Sequence, residues 1–104
     1  MVYEYDDLFI VNSIDQAELE RYETRAIIDI EKLGISDSHF VERLVIARTY
    51  VIAARAQLEA DGMEEKLRAY RDEYDQAMKE ALIAERNVDG IKDKMPMNIK
   101  VGRS

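Results

Sequence analysis

The chain has 104 residues, 47% of them hydrophobic and 36% charged, and its 22 acidic side chains against 15 lysines and arginines give a net charge of −7. A single domain of this make-up has enough apolar side chains for a core, which argues against disorder, and too few clustered cations for a phosphate-contacting surface, which argues against a nucleic-acid binder. The lack of cysteine excludes a disulfide framework, a thiolate zinc site and a thiol nucleophile.

The opening stretch, MVYEYDDLFIVN, is acidic where a secretion signal is basic, and its LFIV run is far too short to span a bilayer. The expectation is a soluble protein made in the cytoplasm, with no membrane partner. Leu8, Phe9, Ile10 and Val11 can fold over the rest of the domain as a strand or a short helix. Ser13 then opens a capping-box spacing, SIDQ, in which Ser13 and Gln16 can satisfy each other's backbone donors. Leu19, Tyr22, Ala26, Ile30 and Leu33 follow at helical steps, with Glu18, Glu20, Arg21, Glu23 and Arg25 mostly off that stripe. Gly34 stands where a left-handed cap is expected, so the first main helix is predicted over 14–33.

Asp37 or Ser38 is the next N-cap candidate. The segment HFVERLVIARTYVIAARAQLEA predicts a helix over 38–60, with a stripe of Phe40, Leu44, Ala47, Val51, Ala54 and Leu58. Val41, Val45, Ile46 and Ile52 widen the stripe, which marks the central helix of a bundle, contacted on several sides. The Asp61–Gly62 pair breaks the pattern. A third helix over 63–86 is read from Met63, Leu67, Tyr70, Tyr74, Ala77 and Ala81, with Ile83 marginal to the stripe. Its outer face is supported by pairs such as Glu64–Arg68 and Asp75–Lys79. It is predicted to end near Arg86–Asn87, before Asp89–Gly90. The expected architecture is all-α: an antiparallel bundle of three main helices in a body over 1–86, followed by an extended arm over 87–104.

Chemistry is sparse. His39 is the only histidine and reads as a partly exposed first-turn residue. A di-metal carboxylate bundle needs Glu-x-x-His pairs facing inward, and the sequence has none. Ser13, Ser36 and Ser38 suit caps, and neither they nor Thr49 has an inferable base partner. The glycines at 34, 62, 90 and 102 are isolated, so no phosphate loop is formed. Tyr22, Tyr70 and Tyr74 read as core or rim residues with hydroxyls reaching water. No catalytic, metal-binding or cofactor-binding residue is expected, and the protein is read as a non-enzyme.

The ending KMPMNIKVGRS departs from all this. Met95, Met97, Ile99 and Val101 alternate with Pro96, Asn98, Lys100 and Gly102, a period of two that fits an edge strand beginning at Pro96. Lys92, Lys94, Lys100 and Arg103 against Asp89 and Asp93 give residues 87–104 a charge of +2, leaving −9 on the first 86. An acidic body with a basic apolar arm suits a self-complementary assembly. Two readings of the arm stand side by side: a solvated, unstructured chain end, the usual fate of a domain's last residues, or an extended peptide that adds a strand to a partner by β-augmentation. The partner-binding residues are therefore read as Lys94, Met95, Met97, Ile99, Lys100, Val101 and Arg103.

The runs AELERYETRAIIDIEKLGI and ERLVIARTYVIAARAQLEADG, followed by MPMNIKVGRS, resemble in layout the small head–tail connector (adaptor) proteins of long-tailed bacteriophages. The resemblance implies a homo-oligomeric ring, usually dodecameric in that group, beneath the portal protein and above tail-side connector or terminator proteins. It also implies a place in the virion and a channel through which DNA passes without specific binding. An acidic body suits such a channel, because it repels phosphates. The competing reading is a small helical interaction or inhibitor protein, antitoxin-like, that wraps a target with its C-terminal arm.

Overall fold

The computed structural model describes the backbone of residues 1–93 and the side chains through Arg86. Within it every regular element is helical: α1 (Leu8–Ser13), α2 (Gln16–Glu31), α3 (Ser38–Ala56) and α4 (Met63–Asp93). The three long helices make the expected bundle. Early α2 lies beside late α3, where Leu19 shares a cluster with Tyr50 and Val51, and late α2 lies beside early α3, where Ala26 and Ile30 meet Leu44 and Val45. Arg43 reaches α4 at Glu73 and Glu80, whereas Tyr50 stacks on Tyr70. Both neighbours of α3 therefore run antiparallel to it.

The apolar breadth of α3 has a direct consequence: it is the middle of the molecule. Leu44, Val45, Val51, Ala53 and Ala54 are all buried, divided among α2, α4 and the N-terminal segment. Alanines do much of the joining. Ala26, Ala53, Ala54, Ala77 and Ala81 have no exposed surface, and side chains that small let helix backbones approach closely. One cluster, with Ile10, Ile14, Leu19, Met63 and Leu67, fills the end where α1 covers the bundle, and the other centres on Leu44 and Ile30.

Several boundaries differ from the sequence reading. Ser13 ends α1 instead of capping α2, and its hydroxyl donates to the Phe9 carbonyl at 2.6 Å. The LFIV run forms its own helical turn because Asp7 caps it, accepting from the Phe9 N–H at 3.0 Å. Ile14 is then extended and buried, and Asp15 takes the N-cap position of α2. Asp37 caps α3 as expected, accepting from His39 N–H at 2.8 Å. That helix stops at Ala56, so Leu58 falls in the following turn and is 45% exposed. Gly34 and Gly62 both have positive φ, +68° and +80°, the left-handed geometry that favours glycine.

The third long helix does not stop before Asp89–Gly90. It continues to Asp93. An Asp-Gly pair ends a helix when its glycine turns left-handed, but a glycine that stays helical costs only about 0.5–1 kcal/mol relative to alanine. Ion pairing differs too. Arg43 bridges α3 to α4, at 3.0 Å from Glu73 and 2.6 Å from Glu80, while Glu64–Arg68 and Asp75–Lys79 form no ion pair among the described residues.

Candidate partner-binding surface

The arm residues Lys94, Met95, Met97, Ile99, Lys100, Val101 and Arg103 lie outside the described residues. What the structure supplies is the surface of the body, and its most specific feature is the N-terminal segment. Residues 1–7 cross α3 as a strap that runs from α2 to α4, held by two carboxylates.

Glu23 is the first. It lies on α2, is only 3% exposed, and accepts from the Val2 N–H at 2.9 Å, the Tyr3 N–H at 3.0 Å and the Tyr5 hydroxyl at 2.8 Å. Tyr5 also reaches the buried Thr49 hydroxyl at 3.3 Å, and Thr49 donates to the Val45 carbonyl at 2.7 Å. Asp7 is the second. Its carboxylate accepts from the Tyr70 hydroxyl at 2.7 Å and from Lys66 at 3.1 Å, and its N–H donates to the Tyr50 hydroxyl at 3.1 Å. Tyr50 stacks on Tyr70 with centroids 4.9 Å apart and takes the edge of Tyr5 at 5.6 Å. The Tyr70 hydroxyl thus meets Asp7 where the sequence reading gave it water.

Burial alone raises a carboxyl's pKa, yet both carboxyls sit below the usual range. The two backbone N–H groups and the Tyr5 hydroxyl outweigh burial at Glu23, and Tyr70 and Lys66 do so at Asp7. Burial, with the facing carboxylate, pushes the Tyr5 and Tyr70 phenols up. The folded chain therefore holds these acids ionised more firmly than the unfolded chain does, and the unfolded chain binds more protons in acid. The strap's stabilisation is fully present above the ordinary carboxylate pKa, about 4, and is lost as pH falls through the lower folded values. Denaturant titrations at pH 5 and pH 3 are expected to show this slope, with Glu23→Gln flattening it. An unchanged slope in that variant contradicts the assignment.

Beside the strap, α3 and α4 leave a groove of about 390 Å³. Ile46, Ala47 and Tyr50 form its floor, and His39, Glu42, Arg43 and Glu73 its rim. A second hollow, of about 550 Å³, continues it along the strap past Glu4 and Asp6, sharing Glu42 and Ile46. The combined channel is apolar below and acidic above, since Glu73 and Glu80 already occupy Arg43, its one guanidinium. Those two carboxylates raise the Arg43 pKa further.

His39 stands exposed in the first turn of α3, with its ring edge on Phe40 at 5.7 Å. Ser36 does not cap a helix; it ties the α2–α3 connection to α4 through Glu85, with its N–H at 2.6 Å and its hydroxyl at 3.0 Å. Among the described residues no group of three or more histidines and acids could hold a metal ion, and no helix is long and apolar enough to cross a membrane. No protein-family model, curated protein or solved structure matches the chain.

The sequence reading singles out neither of the strap's two carboxylates. It groups Glu23 with the charged residues mostly off the α2 stripe, yet Glu23 falls four residues after Leu19 and three before Ala26, in phase with that stripe, and this spacing is the signal that marks it as buried.

Proposed function

We propose that the protein is a structural assembly subunit: a head–tail connector of the kind long-tailed bacteriophages use, ring-forming, docked beneath a portal, with DNA passing through its channel. The observation that carries this reading is the reach of α4. Beyond the Ser36–Glu85 contact that closes the bundle, α4 runs on to Asp93, about 12 Å at 1.5 Å per residue. The basic, alternating apolar segment that starts at Lys94 follows directly in the sequence, after a body that has its own core. A tether of that design attaches one particle component to another, and repetition round a ring turns weak single contacts into firm attachment. The acidic body surface supports the passage of DNA without adhesion.

Removal of residues 94–104 tests the proposal. Among the described residues every cluster of the core lies within 3–81, so the truncated chain is expected to melt with the full chain while losing attachment to a portal ring, measured by co-sedimentation. Native mass spectrometry of the full chain is expected to give a high-order ring, or a monomer that enters a ring only on a portal. A small oligomer that binds one target stoichiometrically instead favours the inhibitor reading.

A further inference from the structure

We infer that the channel between the strap, α3 and α4 is the receptor for the C-terminal arm of a second copy of this chain. The inference deepens the assembly reading and rests on it for the arm's role as a tether. Three observations carry it.

Chemistry is the first. The floor of Ile46, Ala47 and Tyr50 offers apolar contact, and the rim carries the acids Glu4, Asp6 and Glu42 beside the Arg43–Glu73 pair. The arm supplies the complement in one short stretch: Met95, Met97, Ile99 and Val101 for the floor, and Lys94, Lys100 and Arg103 for the rim. Complementary charge of this kind fixes register and partner choice.

Backbone is the second. The strap runs along one side of the channel without helical hydrogen bonding, and its carbonyls from Val2 to Asp6 accept no hydrogen bond among the described residues. An arm lying beside them gains ladder partners that a purely helical surface does not offer.

Reach, the third, decides between copies. The floor lies at the level of Glu73 and Tyr70, about 30 Å back along α4 from Asp93. Even fully extended, residues 94–99 cover only about 20 Å. Met95, Met97 and Ile99 of the same chain therefore cannot lie on the floor, whereas those of a neighbour can.

The experiment is a charge exchange on the full chain. One variant reverses the channel, Glu4→Lys with Glu42→Lys, at two exposed residues with no ion pair among the described residues. The other reverses the arm, Lys94→Glu, Lys100→Glu and Arg103→Glu. Sedimentation equilibrium is expected to show self-association of the unmodified chain weakened at least about tenfold in either variant alone. It is expected to return when the two variants are mixed, with circular dichroism melts unchanged throughout. A mixture that fails to associate, or an unmodified chain that stays monomeric at every concentration, overturns the inference. Portal co-sedimentation of the same samples separates the two ideas. Variants that lose self-association yet still reach the portal bear out the channel as receptor and leave the connector reading standing. Restored association in the mixture with no portal attachment by any sample leaves the receptor assignment standing and removes the connector reading.

Discussion

Replacing Glu23 with alanine is expected to destabilise the protein by about 2–4 kcal/mol, because a hydrogen-bonded buried charge disappears and its donors lose their acceptor. Three donors converge on this one carboxylate from the strap, and none of them has an equal alternative; only Tyr5 keeps a second, longer contact, to Thr49. The loss is local before it is global. Without Glu23 the strap is held mainly by Asp7, so amide exchange at Val2 and Tyr3, whose N–H groups donate to Glu23, should rise well ahead of exchange in α3. Tyr5→Phe removes one of the three bonds and should cost about 0.5–1.5 kcal/mol. Combined with Glu23→Gln it should show a coupling energy of about 0.5–3 kcal/mol, as contacting residues do. Urea melts of the five chains, the unmodified protein included, provide the check. A Glu23→Ala protein with an unshifted midpoint removes the strap from the account of stability, and with it one wall of the channel.

The bundle was legible because its signals are local and repeated. Asp37 and Gly34 mark ends by chemistry that acts within a few residues, and the steps of three and four in α2, α3 and α4 encode which faces meet. The breadth of apolar residues on α3 correctly placed it at the centre. What could not be read depends on distant partners. Glu23 stands in phase with Leu19, Ala26 and Ile30, so its spacing marks a buried face, but its hydrogen-bond donors come only from the return of residues 2–5 across α3. Ser13 carries a valid capping spacing, but Asp7 had already capped the preceding turn, and Ile14 was drawn into the core. Asp89–Gly90 reads as a stop, yet a helix stops where its glycine turns left-handed, and a permissive residue does not compel that turn. The channel combines residues from three separate segments, so no window of sequence displays it.

Leu44→Ala is expected to have the largest effect on the body, about 3–5 kcal/mol, in the upper part of the range for leucine truncations in cores. Leu44 has no exposed surface and sits where the three long helices meet, among Ala26, Ile30, Val45, Ala77 and Ala81. Relaxation around a cavity normally recovers part of the loss, because neighbouring side chains swing inward. Here three of the other five fully buried residues of the cluster are alanines, whose methyl groups cannot swing into a void, so closing it falls to Ile30, Val45 and the half-buried side chains at the cluster's edge, or to movement of helix backbones. Leu44→Met, which nearly conserves volume, should cost under about 1.5 kcal/mol. Leu58→Ala is the internal control: Leu58 lies on the same predicted stripe, but α3 ends before it and it is 45% exposed, so its truncation should cost a small fraction of the Leu44 value. Equal losses at 44 and 58 in urea melts of unchanged slope would falsify the α3 boundary and the three-helix junction together. The junction matters for assembly because it also sets the spacing of α3 and α4. Arg43 leaves α3 one residue before Leu44 and spans to Glu73 and Glu80, so a bundle that loosens at Leu44 pulls apart the two helices that form the channel floor and rim. Leu44→Ala should therefore weaken self-association even at temperatures where the protein remains folded, and Leu58→Ala should leave it intact.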